Sequence, residues 1–254
     1  MTPRFIPALL AVAVFSACSG AGIRDISAPA AGAQVKFFNF GVNAPGVNFY
    51  GNDAKLTAIT SSTGTEATTG TVYGGVGNGG LYSEVVPGAY TLTGKIAAAT
   101  DKDLVVASAA STLADGKFYS MYMSGFYNTT TKTSESFLLE DVLPAQDFNA
   151  ANVRFVNAIS NSSPMTLYAK NTTTSVEVAV GALVAYKGGG AFVSLPNGVY
   201  DLSTRVAGSA TNVITRAGVS FVAGRVYTIG ARGDITVVST TATNRPTLDN
   251  TTNR

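Results

Sequence analysis

Histidine and tryptophan are absent from all 254 residues, and there is a single cysteine, Cys18. Each absence excludes a class of chemistry. Without histidine there is no Ser-His-Asp triad, no imidazole acid–base catalysis and no histidine metal ligand. One cysteine cannot form an intramolecular disulfide. Without tryptophan the commonest stacking platform for sugars is missing. Charged residues make up only 13% of the chain, about half the usual ~25%. Gly, Ala, Thr, Ser, Asn and Val fill the gap, a composition that favours strands and turns over surface helices. The net charge is +2, with no basic cluster, so nucleic acid is excluded as a partner. No apolar run reaches the ~20 residues that a membrane-spanning helix needs.

The longest apolar run is Phe5 to Phe15, after Arg4. Its length suits the apolar region of a signal peptide over residues 1–17. Phe15-Ser16-Ala17-Cys18 resembles the lipobox of bacterial lipoproteins, with Phe15 where that motif usually has Leu. The resemblance implies lipidation of Cys18 and attachment to a membrane through the lipid. It would also consume the free thiol. Acyl chains anchor because each buried methylene contributes about 0.8 kcal/mol. Ser19, not Asp, follows the cysteine, and by resemblance to sorted lipoproteins this favours the outer membrane. Setting residues 1–17 aside removes Arg4 and lowers the net charge from +2 to +1.

The remaining chain repeats itself. Ala33-Gln-Val-Lys-Phe-Phe-Asn-Phe40 matches Ala151-Asn-Val-Arg-Phe-Val-Asn-Ala158. Phe49-Tyr50 matches Leu167-Tyr168. Val86-Pro87-Gly88-Ala89-Tyr90 matches Leu195-Pro196-Asn197-Gly198-Val199-Tyr200. Gly116-Lys117-Phe118-Tyr119 matches Gly224-Arg225-Val226-Tyr227. Four matches in one order mean a duplicated domain. The expected division is a leader at 18–32, a first domain at 33–141, a linker at 142–150, a second domain at 151–239 and a disordered tail at 240–254. Within each copy the period is two. Pro87-Gly88 and Asn197-Gly198 are turn pairs, and Asp115-Gly116 and Ala223-Gly224 punctuate a second hairpin. Short strands with frequent turns predict an all-β chain of two tandem immunoglobulin-like or transthyretin-like β-sandwiches.

On these motifs each copy resembles the bacterial domain of unknown function 4397. The shared features are an opening Val-Arg-Phe-Val-Asn-type strand, a tyrosine ending the second strand, a Pro-Gly-Thr-Tyr-like turn and a Gly-Lys-x-Tyr-Thr-like strand. Family members often carry Asp in the second strand, where this chain has Asn48 and Thr166. The resemblance implies exported, often tandem, sandwich domains and no catalytic residues.

The residue types that remain for chemistry are few. Asp101 with Asp103 and Glu140 with Asp141 are the candidate carboxylate pairs for glycoside hydrolysis or calcium. The first pair reads as a solvated turn, the second sits on opposite faces of one strand, and neither recurs in the second copy. Gly-rich 73–80 and Gly188-Gly189-Gly190 lack the Lys-Ser or Lys-Thr of a phosphate loop. No enzyme, metal or cofactor is therefore expected. One asymmetry stands out. In the strand 118–127, Tyr119, Met121 and Met123 should face the core. Phe118, Tyr122 and Phe126 then share the other face. That face is either covered by a neighbouring segment, such as the Gly-rich 74–80 loop or the second domain, or exposed as a candidate patch for an envelope protein or glycan ligand, with Tyr122 and Phe126 as the expected contacts. The expected function is a non-catalytic envelope lipoprotein displaying two sandwiches as a binding or spacer module. A carbohydrate-active accessory protein or carboxylate-only glycosidase, and a periplasm-facing assembly factor, are the alternatives.

Overall fold

A computed structural model describes residues 32–58 and 63–254. Residues 1–17, expected to be a signal segment, and Cys18 lie outside the described residues. The described chain is all-β, with no α-helix. The first copy contributes β1 (Ala33–Asn39), β2 (Val47–Gly51), β3 (Ala54–Lys55), β4 (Gly75–Val76), β5 (Ser83–Val85), β6 (Gly88–Ile96), β7 (Val105–Leu113), β8 (Phe118–Asn128) and β9 (Thr133–Glu140). The second contributes β10 (Ala150–Asn157), β11 (Met165–Asn171), β12 (Glu177–Val184), β13 (Gly188–Gly189), β14 (Val193–Pro196), β15 (Gly198–Val206), β16 (Ile214–Phe221), β17 (Val226–Arg232) and β18 (Thr247–Thr252).

Each copy is a two-sheet sandwich. The first pairs β4-β1-β8-β9, with β5 also on β1, against β3-β2-β6-β7. The second pairs β13-β10-β17-β18, with β14 also on β10, against β12-β11-β15-β16. The duplication extends to register. β1 runs parallel to β8 with Lys36 opposite Ser120, and β10 runs parallel to β17 with Arg154 opposite Thr228. The period-two pattern holds. Val35, Phe37, Met121 and Met123 enter the first core, where Phe37 stacks on Phe49 at 4.9 Å between centroids. Val153, Phe155, Ile229 and Ala231 enter the second.

Two local expectations need correction. Asp115-Gly116 and Ala223-Gly224 do not close hairpins. β7 and β8 lie in different sheets, as do β16 and β17, so these turns carry the chain across the sandwich. Residues 240–254 are not a disordered tail. β18 pairs antiparallel with β17 over six residues, from Thr247 opposite Arg232 to Thr252 opposite Tyr227. The ladder needs only backbone groups, which Thr and Asn supply as well as any residue. Leu248, 1% exposed, fixes which face turns inward. Leu248→Ala should therefore cost about 2–3 kcal/mol in denaturant unfolding, within the usual range for buried leucine. An unchanged midpoint would mean that the segment is a tail after all.

The two sandwiches also pack on each other. Phe38, Phe40, Tyr122 and Phe137 from the outer face of the first β1-containing sheet form one buried cluster with Val156 and Ala158 of the second copy. The copies exchange bulk across this contact. Where the first has Phe40 and Tyr122, the second has Ala158 and Gly230 at the matching positions. A Cβ on Gly230 would sit 2.8 Å from the Phe40 ring, and one on Gly189 would sit 2.8 Å from Leu139 Cδ1. Glycine at these two positions lets the second copy's sheet approach the aromatic face. The Gly-rich stretches singled out in the sequence each contribute a two-residue edge strand: Gly75 pairs with β1 and Gly188-Gly189 with β10.

Candidate functional site

The second domain covers part of the aromatic row, and the expected exposure of Tyr122 is corrected. Tyr122 is 0% exposed, stacked on Phe38 at 4.4 Å and on Phe137 at 4.9 Å. It is a centrepiece of the contact between the copies and is not available as a surface patch. Phe118 is half-buried, edge-on to Tyr82 at 5.2 Å. Phe126 alone is exposed, at 43%. The register of β8 against β9 breaks between Ser124 and Asn128, and Gly125 there has φ +70°. That bulge carries Phe126 beyond the covered face.

Beside the rings lies a charged cluster that joins both copies. Lys36, Asp141 and Arg154 are 0%, 2% and 3% exposed. Asp141 is the hub. One carboxylate oxygen accepts from Arg154 Nη2 in a short ion pair. The other accepts from Tyr82 OH at 2.6 Å and from Ser120 Oγ at 2.7 Å. Arg154 Nε donates to Thr228 Oγ1 at 2.9 Å, and Thr228 donates to Asn253 Oδ1 at 2.7 Å. Asn253 Nδ2 returns to Tyr82 OH at 2.7 Å. Lys36 Nζ donates to the Thr252 carbonyl at 2.6 Å and lies 4.4 Å from the centre of the Tyr82 ring. Lys36 and Arg154 are the matching basic residues of the repeat's opening strand. Each points outward from its own sandwich into the shared contact.

Two buried cations face one buried carboxylate, and the titration of Lys36 reflects this. Burial lowers its pKa from 10.5 to about 8, Asp141 opposes the fall and Arg154 adds to it. In the unfolded chain Lys36 keeps its proton up to the ordinary value. Between pH 8 and 10.5 the unfolded state thus holds more protons, so stability rises with pH over that window. Below pH 8 the folded state bears the full burden of the charge, roughly 3 kcal/mol for a difference of this size. Lys36→Met leaves Arg154 and Asp141 as a neutral pair. It should raise stability near neutral pH by about 1–2 kcal/mol and abolish the rise above pH 8. Denaturant midpoints at pH 7 and pH 9.5 check both effects.

The carboxylate pairs proposed from sequence are not brought together as pairs. Asp101 is held by Lys132 at 2.6 Å, and Asp103 accepts from Tyr50 OH at 3.1 Å. Glu140 pairs with Lys117 at 2.9 Å on the surface, while Asp141 turns inward to the cluster. Among the described residues no group of three His, Cys, Asp or Glu side chains is placed to hold a metal ion. Two clefts flank the contact. One of about 560 Å³ is bordered by Tyr82, Arg225 and the segment from Asn250 to Arg254. The other, about 450 Å³, opens onto Arg154 between the connector and the Gly189–Phe192 segment.

No protein-family model matches the chain, and no curated protein matches it. Among solved structures, it is similar to a candidate cell adhesion protein of Bacteroides fragilis at 8% identity and a TM-score of 0.24, over 87% of this chain and 97% of the other. It is also similar to a candidate cell adhesion protein of Bacteroides ovatus at 12% identity and a TM-score of 0.24, over 87% and 96%. At these values neither likeness speaks to what this chain binds.

Proposed function

We propose that the chain is a non-catalytic cell-envelope lipoprotein whose two sandwiches, each a copy of the bacterial domain of unknown function 4397, act together as one binding or spacer module. The observation that carries the reading is the buried contact between the copies. Aromatic rings and a hydrogen-bonded charge cluster fill it, so the pair presents two outer sheets and a seam, in place of two separately mobile domains. The carboxylates considered for catalysis are engaged in ion pairs or hydrogen bonds, which supports a structural role for them. The lipid anchor rests on the residues around Cys18, and the outer membrane on Ser19.

Cys18→Ser tests the anchor. The wild-type chain should sediment with membranes, and the variant should move to the soluble fraction. Equal membrane association of the two would sink the lipoprotein reading. Protease treatment of intact cells then separates surface display from a periplasm-facing position. Screening against glycans and peptidoglycan fragments should give binding without turnover.

A further inference from the structure

We infer that the cleft at Arg154 is a binding site for a carboxylate carried on a small apolar group. The site stands on the geometry of the seam and does not depend on the envelope location. Arg154 borders the cleft although it is only 3% exposed. A guanidinium has five N–H donors. Arg154 uses one on Thr228 and one on Asp141. With the Tyr122 hydroxyl as a third neighbour of the same guanidinium, two of the five N–H groups remain over. The Phe192 ring lies 4.9 Å from its central carbon and holds the plane of the fork.

Charge and shape select the ligand. The cluster behind the cleft has two cations, Lys36 and Arg154, against Asp141, and a buried excess charge is costly until something neutralises it. An incoming carboxylate would do so and would accept the paired N–H groups that Arg presents. The rest of the cleft is largely apolar, with Leu139, Val142 and Pro144 on the connector side. Val142 is 71% exposed, leaving apolar surface at the mouth for a ligand to cover. Glu140 stands at the rim, held by Lys117. Its charge disfavours a dianion more than a monoanion, which argues for carboxylate over phosphate. The volume, about 450 Å³, falls in the ~300–1,000 Å³ range of small-ligand sites.

A free organic acid and the C-terminus of a peptide ending in an apolar residue share this chemistry. Calorimetric titration of the purified full chain at pH 7 distinguishes them. The probes are benzoate, benzamide, Ala-Ala-Leu with a free C-terminus, the same peptide amidated, and inorganic phosphate. At least one acid should bind, and tenfold or more tighter than its amide. Which acid binds identifies the source. Ala191→Glu places a competing carboxylate at an exposed border position and should abolish binding with the fold intact by circular dichroism. Lys36→Met, which removes the excess charge without emptying the cleft, should weaken binding severalfold. Failure of both acids to bind would overturn the site, as would equal binding of acid and amide, or a preference for phosphate. So would unchanged affinity in Ala191→Glu.

Discussion

Tyr122→Ala should lower the stability of the full chain by about 3–5 kcal/mol, the range for removing a buried aromatic side chain. The ring is 0% exposed and sandwiched between Phe38 and Phe137. Its loss leaves a cavity between two sandwiches that meet through this cluster, with Val156 and Ala158 on the far side. The contact that couples the copies weakens, so the variant should unfold in two transitions where the wild-type chain is expected to unfold in one. Tyr122→Phe is the informative control. The Tyr122 hydroxyl makes no hydrogen bond of good geometry but lies beside Ser120 and Arg154, so removing it should change stability by less than about 1 kcal/mol. Phe126→Ala, on an exposed ring past the bulge, should cost less than about 1 kcal/mol. Denaturant unfolding of the three variants checks the order. A Tyr122→Ala midpoint equal to that of Phe126→Ala would mean that the face is open to solvent.

The same residues show what the sequence could and could not convey. Repeat positions and strand parity were legible, because period-two alternation places Met121 and Met123 on one face and Tyr122 on the other whatever covers them. What covers the second face is a long-range fact. Its trace lies in β1, where Lys36, Phe38 and Phe40 are the outward residues: a solvent face rarely carries two phenylalanines in three positions, and a strand buried on both sides loses its polar alternation. The strand 118–127 by itself leaves both exposure and cover by the second domain open; its parallel neighbour β1 decides between them. Turn dipeptides such as Asp115-Gly116 mark a reversal but not whether the next strand joins the same sheet or the opposite one. β18 is not legible in the sequence, because its Thr and Asn side chains carry no hydrophobic pattern beyond Leu248 and its pairing is made by the backbone. Asp141 and its neighbour Glu140 are adjacent residues that point to opposite sides, one inward and one to the surface. The real partner of Asp141, Arg154, is the first basic residue of the next domain's opening strand and lies across the connector.

That partnership leads to an unequal response when each charge is removed. Asp141→Ala should destabilise the full chain by about 3–5 kcal/mol, the expected result of leaving buried charge unpaired. Both Arg154 and Lys36 would then face each other with no anion between them, and the hydroxyls of Tyr82 and Ser120 would lose their common acceptor. Arg154→Met should cost less, about 1–3 kcal/mol, because Lys36 remains to balance Asp141 while Thr228 keeps its bond to Asn253. Lys36→Met goes the other way and stabilises. The ordering follows from charge count: one deletion leaves two cations, one leaves a balanced but poorer pair, and one leaves the best-bonded pair intact. Combining Asp141→Ala with Lys36→Met should recover part of the loss, since a single cation then remains. That recovery should exceed the 1–2 kcal/mol gained from Lys36→Met alone by at least about 1 kcal/mol, because without Asp141 nothing offsets the repulsion between Lys36 and Arg154; the excess is the coupling between two residues that share no hydrogen bond. Unfolding in denaturant at pH 7 measures all four variants. Equal penalties for Asp141→Ala and Arg154→Met, or strict additivity of the double variant, would show that hydrogen bonding alone, and not the excess of buried positive charge, governs the seam.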